Sequence, residues 1–307
     1  MFSKVKRLIQ LIKSYEERFN KIDLALGKIE TRLNESIDSD QINDYEFKVS
    51  SQWGEDGIIQ YLINNINIKN TTFVEFGVEK YIESNTRFLL QNNNWNGLVL
   101  DGSIENISYI KNDPIYWKHN LKAEHAFLTV ENINQIISSN GILGDIGLLS
   151  IDVDGNDYWL WEAINCISPN IVVIEFNSLF GKKEKVSVPY KPNFVWTNEH
   201  FSNLYWGASL AAMEYLGKKK GYSLVGINSV SSNAFFVKDE LVGNVRKTNS
   251  EEAHSYSSFR QSRNEKGELT YLDTNECLVL ISDCTLQRVD TSEEFKVNEL
   301  FGNFHGM

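Results

Sequence analysis

Apolar residues at Val5, Leu8, Ile12, Tyr15, Phe19, Ile22, Leu26, Ile29 and Leu33 recur at alternating intervals of three and four. That 3.5-residue period, held for about four heptads, is a coiled-coil seam, with Lys, Arg and Glu on the other faces. An amphipathic helix folded back onto its own domain carries a similar stripe. A membrane-surface helix using Lys4, Lys6, Arg7 and Lys13 is a third reading. The unbroken a/d repeat favours self-association, so residues 1–35 predict a coiled-coil helix and a homo-oligomer through it. The polar run Asn34–Asn43 then opens a linker placed at 36–45.

Beyond it, β-rich apolar runs alternate with helical patterns. The runs are Phe73–Val78, Gly97–Asp101, His125–Val130, Gly147–Asp152, Ile171–Phe176, Tyr222–Ile227 and Ala234–Val237. Helical spacing falls near Ser84–Gln91, Ile104–Ile110, Glu131–Ile137, Asp157–Ile164 and Leu204–Lys220. Continuously apolar strands separated by helices predict a parallel sheet covered on both faces. The last two runs are divided only by the short turn Asn228–Asn233, which predicts an antiparallel hairpin. The outline is a Rossmann-like α/β domain over 46–240, with seven strands and a terminal hairpin. An extension over 241–307 turns polar and charged from Asn244 to Gly267, reading as a mobile or surface segment before a short strand at Leu278–Ser282.

Composition narrows the function. The 307 residues carry a formal charge of −11, which excludes a concentrated basic footprint for nucleic acid as the main partner surface. Three cysteines, Cys166, Cys277 and Cys284, make no paired framework and fit a reducing cytoplasm. No apolar run approaches the roughly 20 residues of a membrane span, so an integral membrane protein is not expected.

Ligands of open α/β sheets bind beyond the carboxyl ends of the strands, where strand order reverses. Three motifs fall there. Glu75-Phe76-Gly77 closes the first strand, pairing a carboxylate for an ammonium group with a glycine that lets backbone approach a ligand. Asp101-Gly102-Ser103 ends the second, where a carboxylate can accept both ribose hydroxyls. Ser84-Asn85-Thr86 opens the intervening helix with free N–H groups. The loop GVEKYIESN has a single glycine, a poor cradle for the pyrophosphate of NAD, whereas S-adenosyl-L-methionine carries no phosphate. Glu75, Gly77, Asn85, Thr86, Asp101, Gly102, Ser103 and Asp152 are therefore the candidate cofactor contacts.

The stretches SQWGEDGII, VEFGV…NT, WNGLVLDGS, LLSIDVDGNDYWLW, VVIEFNS and the run Tyr205–Val237 together resemble the bacterial FkbM-type methyltransferases. The resemblance spans about Ser51 to Val237. It implies a class I methyltransferase fold, S-adenosylmethionine as cofactor, and O-methylation of a surface-glycan sugar or its nucleotide-linked precursor. It also implies that Gln52, Glu55 and Asp56 lie close to the cofactor.

Methyl transfer to oxygen needs an aligned acceptor and a route for its proton. The ends of the fourth and fifth strands gather Asp152, Asp154, Asp157, Glu175 and Asn177. Three readings stay open. Asp152, Asp154, Glu175 and Asn177 could hold Mg²⁺, Mn²⁺ or Ca²⁺, and crowded carboxylates favour a cation. Glu175 and Asn177 are similar to the acid-amide pair of catechol O-methyltransferase. Alternatively, Asp154 or His200 acts as a metal-free base, or Asp157 simply caps the helix at Tyr158. The string D-x-D-G-x-D resembles the start of a calcium loop, but Ala163 stands where an EF-hand needs glutamate.

About 25 residues without periodicity follow the fifth strand, a length typical of lids. Tyr190, Phe194, Trp196 and Tyr205 there could stack on a sugar, and Lys182, Lys183, Lys185 and Lys191 could meet a phosphate or be plain solvated charge. His119, His125, His254 and His305 show no partner spacing. A nucleic-acid base methyltransferase would carry N/D-P-P-Y/F after the fourth strand. The nearest mimic, Asp113-Pro114-Ile115-Tyr116, precedes the third. An NAD-dependent sugar enzyme and an inactive coiled-coil scaffold are the remaining alternatives.

Overall fold

The computed structural model describes residues 2–257 and 262–302; side chains of several residues in the first 17 positions lie outside that description, Val5, Leu8, Lys4 and Lys13 among them, as does His305 entirely. The chain opens with α1 (Phe2–Asn34) and α2 (Glu55–Asn65). It continues through β1 (Thr72–Phe76), α3 (Arg87–Asn92), β2 (Asn96–Asp101), α4 (Ile104–Asn112), α5 (Pro114–Lys118) and β3 (Leu121–His125). Then come α6 (Ile133–Ser139), β4 (Gly144–Ile151), α7 (Asp157–Ala163), β5 (Ile167–Glu175), β6 (Val186–Ser187), α8 (Trp196–Glu199) and α9 (Leu210–Lys220). The chain finishes with β7 (Tyr222–Ile227), β8 (Asn233–Lys238), α10 (Ser250–Ala253), α11 (Thr274–Leu280), β9 (Thr285–Arg288), β10 (Glu294–Lys296) and α12 (Val297–Phe301).

Seven strands form one mixed sheet in the order β3-β2-β1-β4-β5-β8-β7. The first five run parallel, while β8 pairs antiparallel with both β5 and β7. The sequence explains the burial. Alternate residues of β1 serve opposite faces: Val74 packs with Trp161 and Leu216 under α7 and α9, whereas Phe73 packs with Ile58, Leu90 and Ile107 under α2, α3 and α4. Because helices cover both faces, both sets of residues are apolar. Helix ends follow their capping residues. Ser209 Oγ accepts the N–H of Ala212 at 3.0 Å to start α9, and Gly221 closes it in the left-handed conformation.

Several expected boundaries move. The third strand is Leu121–His125, upstream of the expected His125–Val130, because only there does the chain pair with β2. Leu278–Ser282 is not a strand: Asp273 and Glu276 form a capping box that starts α11 instead. The linker region also packs, carrying Ile42 and Tyr45 into the core. The residues after β5 and the extension beyond β8 join in a second sheet, β10-β9-β6. They share a third apolar cluster, with Phe180, Val186, Phe194 and Leu204 from the first and Leu278, Ile281 and Leu286 from the second. Among the described residues, no helix is long and apolar enough to cross a membrane.

Candidate active site

The chain leaves β1 toward β2 on one side of the sheet and leaves β4 toward β5 on the other, so a crevice opens between neighbouring strand ends. A cavity of about 420 Å³ lies there. Its floor is made by Gly77 and Glu79 after β1, by Asp152 and Asp154 after β4, and by Glu175 and Asn177 at β5. Its roof includes Trp196, Trp206, Tyr256 and Leu272.

Gly77 has φ of 69°, and a Cβ on it would overlap the carbonyl oxygen of Asp152. The close approach that demands glycine is therefore between two pieces of protein backbone, and it fixes the β1 loop against the end of β4. Glu75 is 4% exposed; its Oε1 accepts the N–H of Asn85 at 2.7 Å, and its Oε2 accepts the N–H and hydroxyl of Thr86 at 3.2 and 2.5 Å. It secures the start of α3 with one edge on the cavity wall. Burial pushes its pKa up to about 7, despite those hydrogen bonds.

Asp101 is placed differently from the ribose-facing position expected of it. Its Oδ2 accepts the N–H of Glu79 at 2.7 Å, and its Oδ1 accepts from Ser103 N–H and Asn106 Nδ2 at 2.8 and 3.0 Å. It thus anchors the β1 loop, while Ser103 caps α4 through the N–H of Asn106. Asp101, Gly102, Ser103 and Thr86 are not among the cavity's described lining residues, whereas Gln52, Glu75, Gly77, Asn85 and Asp152 are. Glu55 is fully buried, accepting from Trp53 N–H and from the amides of Asn228 and Asn233, so it ties α2 to the hairpin. One oxygen of Asp56 accepts the N–H groups of Val49, Ser50 and Ser51. Both acids hold the Ser50–Trp53 segment that carries Gln52 to the cavity.

The β4–α7 turn concentrates the chemistry. Asp157 does not cap α7, whose N-cap is Asn156; its two oxygens accept the N–H groups of Val153 and Gly155, both at 2.8 Å. It thereby staples the turn that presents Asp154, which sits in the left-handed region at φ of 54°. Gly155 is needed because a Cβ there would run into the ring of Phe194, and Asn156 Nδ2 donates to the carbonyl of Lys191 at 2.8 Å. These two contacts dock the segment after β5 onto the turn. Oxygens of Asp152, Asp154 and Glu175 lie within 4.8 Å of one another. Burial, then the charges of neighbouring acids, holds Asp152 and Glu175 well above the usual carboxylate range. Asp154 keeps an exposed side chain; partial desolvation, with Asp157 and Glu79 adding repulsion, raises its pKa to about 7. Such a set retains a proton or takes a cation, because its members cannot all be charged alone. One oxygen of Glu175 has no hydrogen-bond partner among the described residues.

Two further candidates are held by contacts of their own. Asn177 lines the cavity, but its amide donates to the carbonyls of Leu204 and Trp206 at 3.1 and 3.0 Å and its oxygen accepts the N–H of Leu179 at 3.1 Å. It joins loops, with one lone pair of its oxygen taken by Leu179. His200 is not among the described cavity-lining residues; its Nδ1 pairs with Ser202 Oγ at 2.7 Å and its ring rests on Phe201. Tyr190 bonds Glu131, Tyr205 bonds the carbonyl of Thr285, Lys185 pairs with Asp290 and Lys191 with Glu199. Of the aromatic candidates after β5, Trp196 alone is among the described lining residues. Sequence reasoning missed Ser231, Ser232 and Asn233, although antiparallel pairing of Asn233 with Glu175 brings the hairpin tip to the site. It also missed Tyr256, Leu272 and Thr274, for which no local pattern gives a signal.

No protein family's sequence profile matches the chain, and no curated protein sequence does. Among solved structures it is similar to the CurJ carbon methyltransferase, with 10% identity over 64% of this chain and a TM-score of 0.41; the match spans 57% of that protein. A S-adenosylmethionine-dependent methyltransferase from Clostridium acetobutylicum is 12% identical over 67% of this chain and 94% of its own, with a TM-score of 0.38. The N-terminal domain of EvdMO1, solved with S-adenosylhomocysteine bound, is 11% identical over 58% of this chain and 75% of its own, with a TM-score of 0.36. At this level the likeness fixes neither activity nor substrate.

Proposed function

We propose that the chain is an S-adenosylmethionine-dependent methyltransferase that modifies a hydroxyl of a glycan sugar. The observation that carries the reading is the acidic, base-free lining of the cavity at the strand switch point. Six of its described lining residues are carboxylates, Glu75, Glu79, Glu83, Asp152, Asp154 and Glu175, and none is Lys, Arg or His. A sulfonium donor suits that lining because its positive charge favours the ionised form of these acids, whereas the pyrophosphate of NAD would find no cationic side chain to meet it. The same argument favours a sugar without phosphate inside the cavity over a nucleotide-linked precursor.

Asp154 stands open to the cavity and, with a pKa near 7, is matched to accept the acceptor's proton as methyl moves from sulfur to oxygen. Roof aromatics such as Tyr256 and Trp206 offer faces for a sugar ring. A second reading follows from the three acid oxygens within 4.8 Å: Asp152, Asp154 and Glu175 would hold a divalent cation, which lowers the pKa of a bound hydroxyl.

Calorimetry tests the first step. S-adenosylhomocysteine should bind and NAD should not; binding of NAD alone would overturn the proposal, and binding of neither would favour a scaffold. Methyl transfer to a panel of neutral, amino and nucleotide-linked sugars then names the acceptor. Loss of transfer on chelation, restored by Mg²⁺ or Mn²⁺, would establish the cation.

A further inference from the structure

Helix α1 meets its own domain with the wrong face for its apolar stripe. Contact is made by Leu24, Gly27, Thr31 and Asn34: these residues lose exposure, a Cβ on Gly27 would overlap Val49 and come within 3 Å of the Phe88 ring, and Asn34 Nδ2 donates to the carbonyl of Tyr45 at 2.7 Å. In the heptad set by the seam these are b and f positions, opposite a and d. The seven described seam residues from Ile12 to Leu33 remain between 48% and 62% exposed. A helix of 33 residues whose described side chains from Leu11 to Asp23 are all exposed has no tertiary packing of its own there. Isolated helices of that kind are marginal in water. The fold-back reading of the stripe is therefore excluded for the described seam residues.

We infer that a second copy of this chain covers the seam, as a parallel, in-register two-stranded coiled coil. Charge at the flanks selects both the occupant and its direction. The e positions include Asp23 and Glu30, and the g positions include Arg18 and Arg32. In a parallel pair each g residue faces the next e residue of the other strand, setting Arg18 against Asp23 of the partner, while Glu30 faces Ala25 and Arg32 meets no acid. An antiparallel pair would set acids against acids and bases against bases. The own-domain contact lies on the far side of the helix, so the two catalytic-type domains flank the coil without competing for it. This inference stands independently of the methyltransferase reading.

Light scattering of the full chain at about 20 μM should give twice the 35.3 kDa chain mass. Phe19→Lys with Leu26→Lys should give the single-chain mass with an unchanged melting temperature, since both side chains are exposed in the protomer. Arg18→Glu alone should weaken the dimer about tenfold, and adding Asp23→Arg should restore it. Ile29→Cys should cross-link to itself under mild oxidation, beyond any background from the natural cysteines. An antiparallel pair would place it opposite a different residue. A single-chain mass for the natural protein, a higher oligomer, or no self-cross-link at Ile29→Cys would each overturn the inference.

Discussion

The cavity has two walls of different construction. Its floor stands on the ends of β1, β4 and β5, buried strands whose neighbours are fixed by regular backbone pairing. Its roof is assembled from residues 178–206 and from the tail beyond β8, held by a small apolar cluster and the short strands β6, β9 and β10. The floor supplies nearly all the acidic groups and the roof most of the aromatic surface. Under the proposed reading, the short turns anchored on the floor strands would carry the chemistry and the roof the choice of acceptor.

That division can be broken at single residues. Asp154→Asn should have the largest effect, lowering methyl transfer at least about 100-fold while S-adenosylhomocysteine still binds. Asparagine tolerates the left-handed backbone there, so loss of folding would not explain the result. Retained activity would remove Asp154 from the proposed role. Gly77→Ala should cost about 3 kcal/mol in urea unfolding, from backbone strain plus the overlap with Asp152. An unchanged midpoint would show that the β1 loop is free to move off β4.

On the roof, Tyr256→Ala should raise the acceptor KM about tenfold, or about 1.4 kcal/mol, with cofactor affinity unaltered. A parallel loss of cofactor affinity would erase the distinction between the walls. The smallest effect is expected behind the floor, at Asp56. Burial lifts this carboxyl from 3.8 to about 6 in the folded protein. The folded state therefore holds its proton longer than the unfolded chain, and stability falls as pH rises from about 4 to about 6, the loss being complete above that. Asp56→Asn keeps an acceptor for the three N–H groups and should be more stable than the natural protein by about 1 kcal/mol at pH 8. Equal stability at pH 8 would mean that the buried charge costs nothing.

The sequence by itself determined the elements whose period is local. β1, β2, β4 and β5, the β7–β8 pair and the α1 stripe were legible because apolar spacing reports which face is buried, whereas β3, with Lys122, Glu124 and His125, carries no such run. The acids at the strand ends were legible for the same reason, since a parallel sheet sends every strand's carboxyl end to one edge. What each acid does was not. Glu75, Asp101 and Asp157 turned out to be holding N–H groups of nearby loops, while Asp152, Asp154 and Glu175 face one another, a difference set by contacts with no fixed sequence spacing. Nor were the partners of Asn177 and His200 legible, since the Leu204 and Trp206 carbonyls and Ser202 meet them only when the loop folds. In the tail, Asn244–Gly267 was read as a surface segment and Leu278–Ser282 as a strand; local pattern could not show that Leu278, Ile281 and Leu286 bury themselves against the residues after β5. Only tertiary structure could decide the roof: its pairing partners lie about 100 residues apart, beyond the reach of any local period. The same limit holds for α1, where the pattern predicted a seam but only the packed domain showed which face was left open.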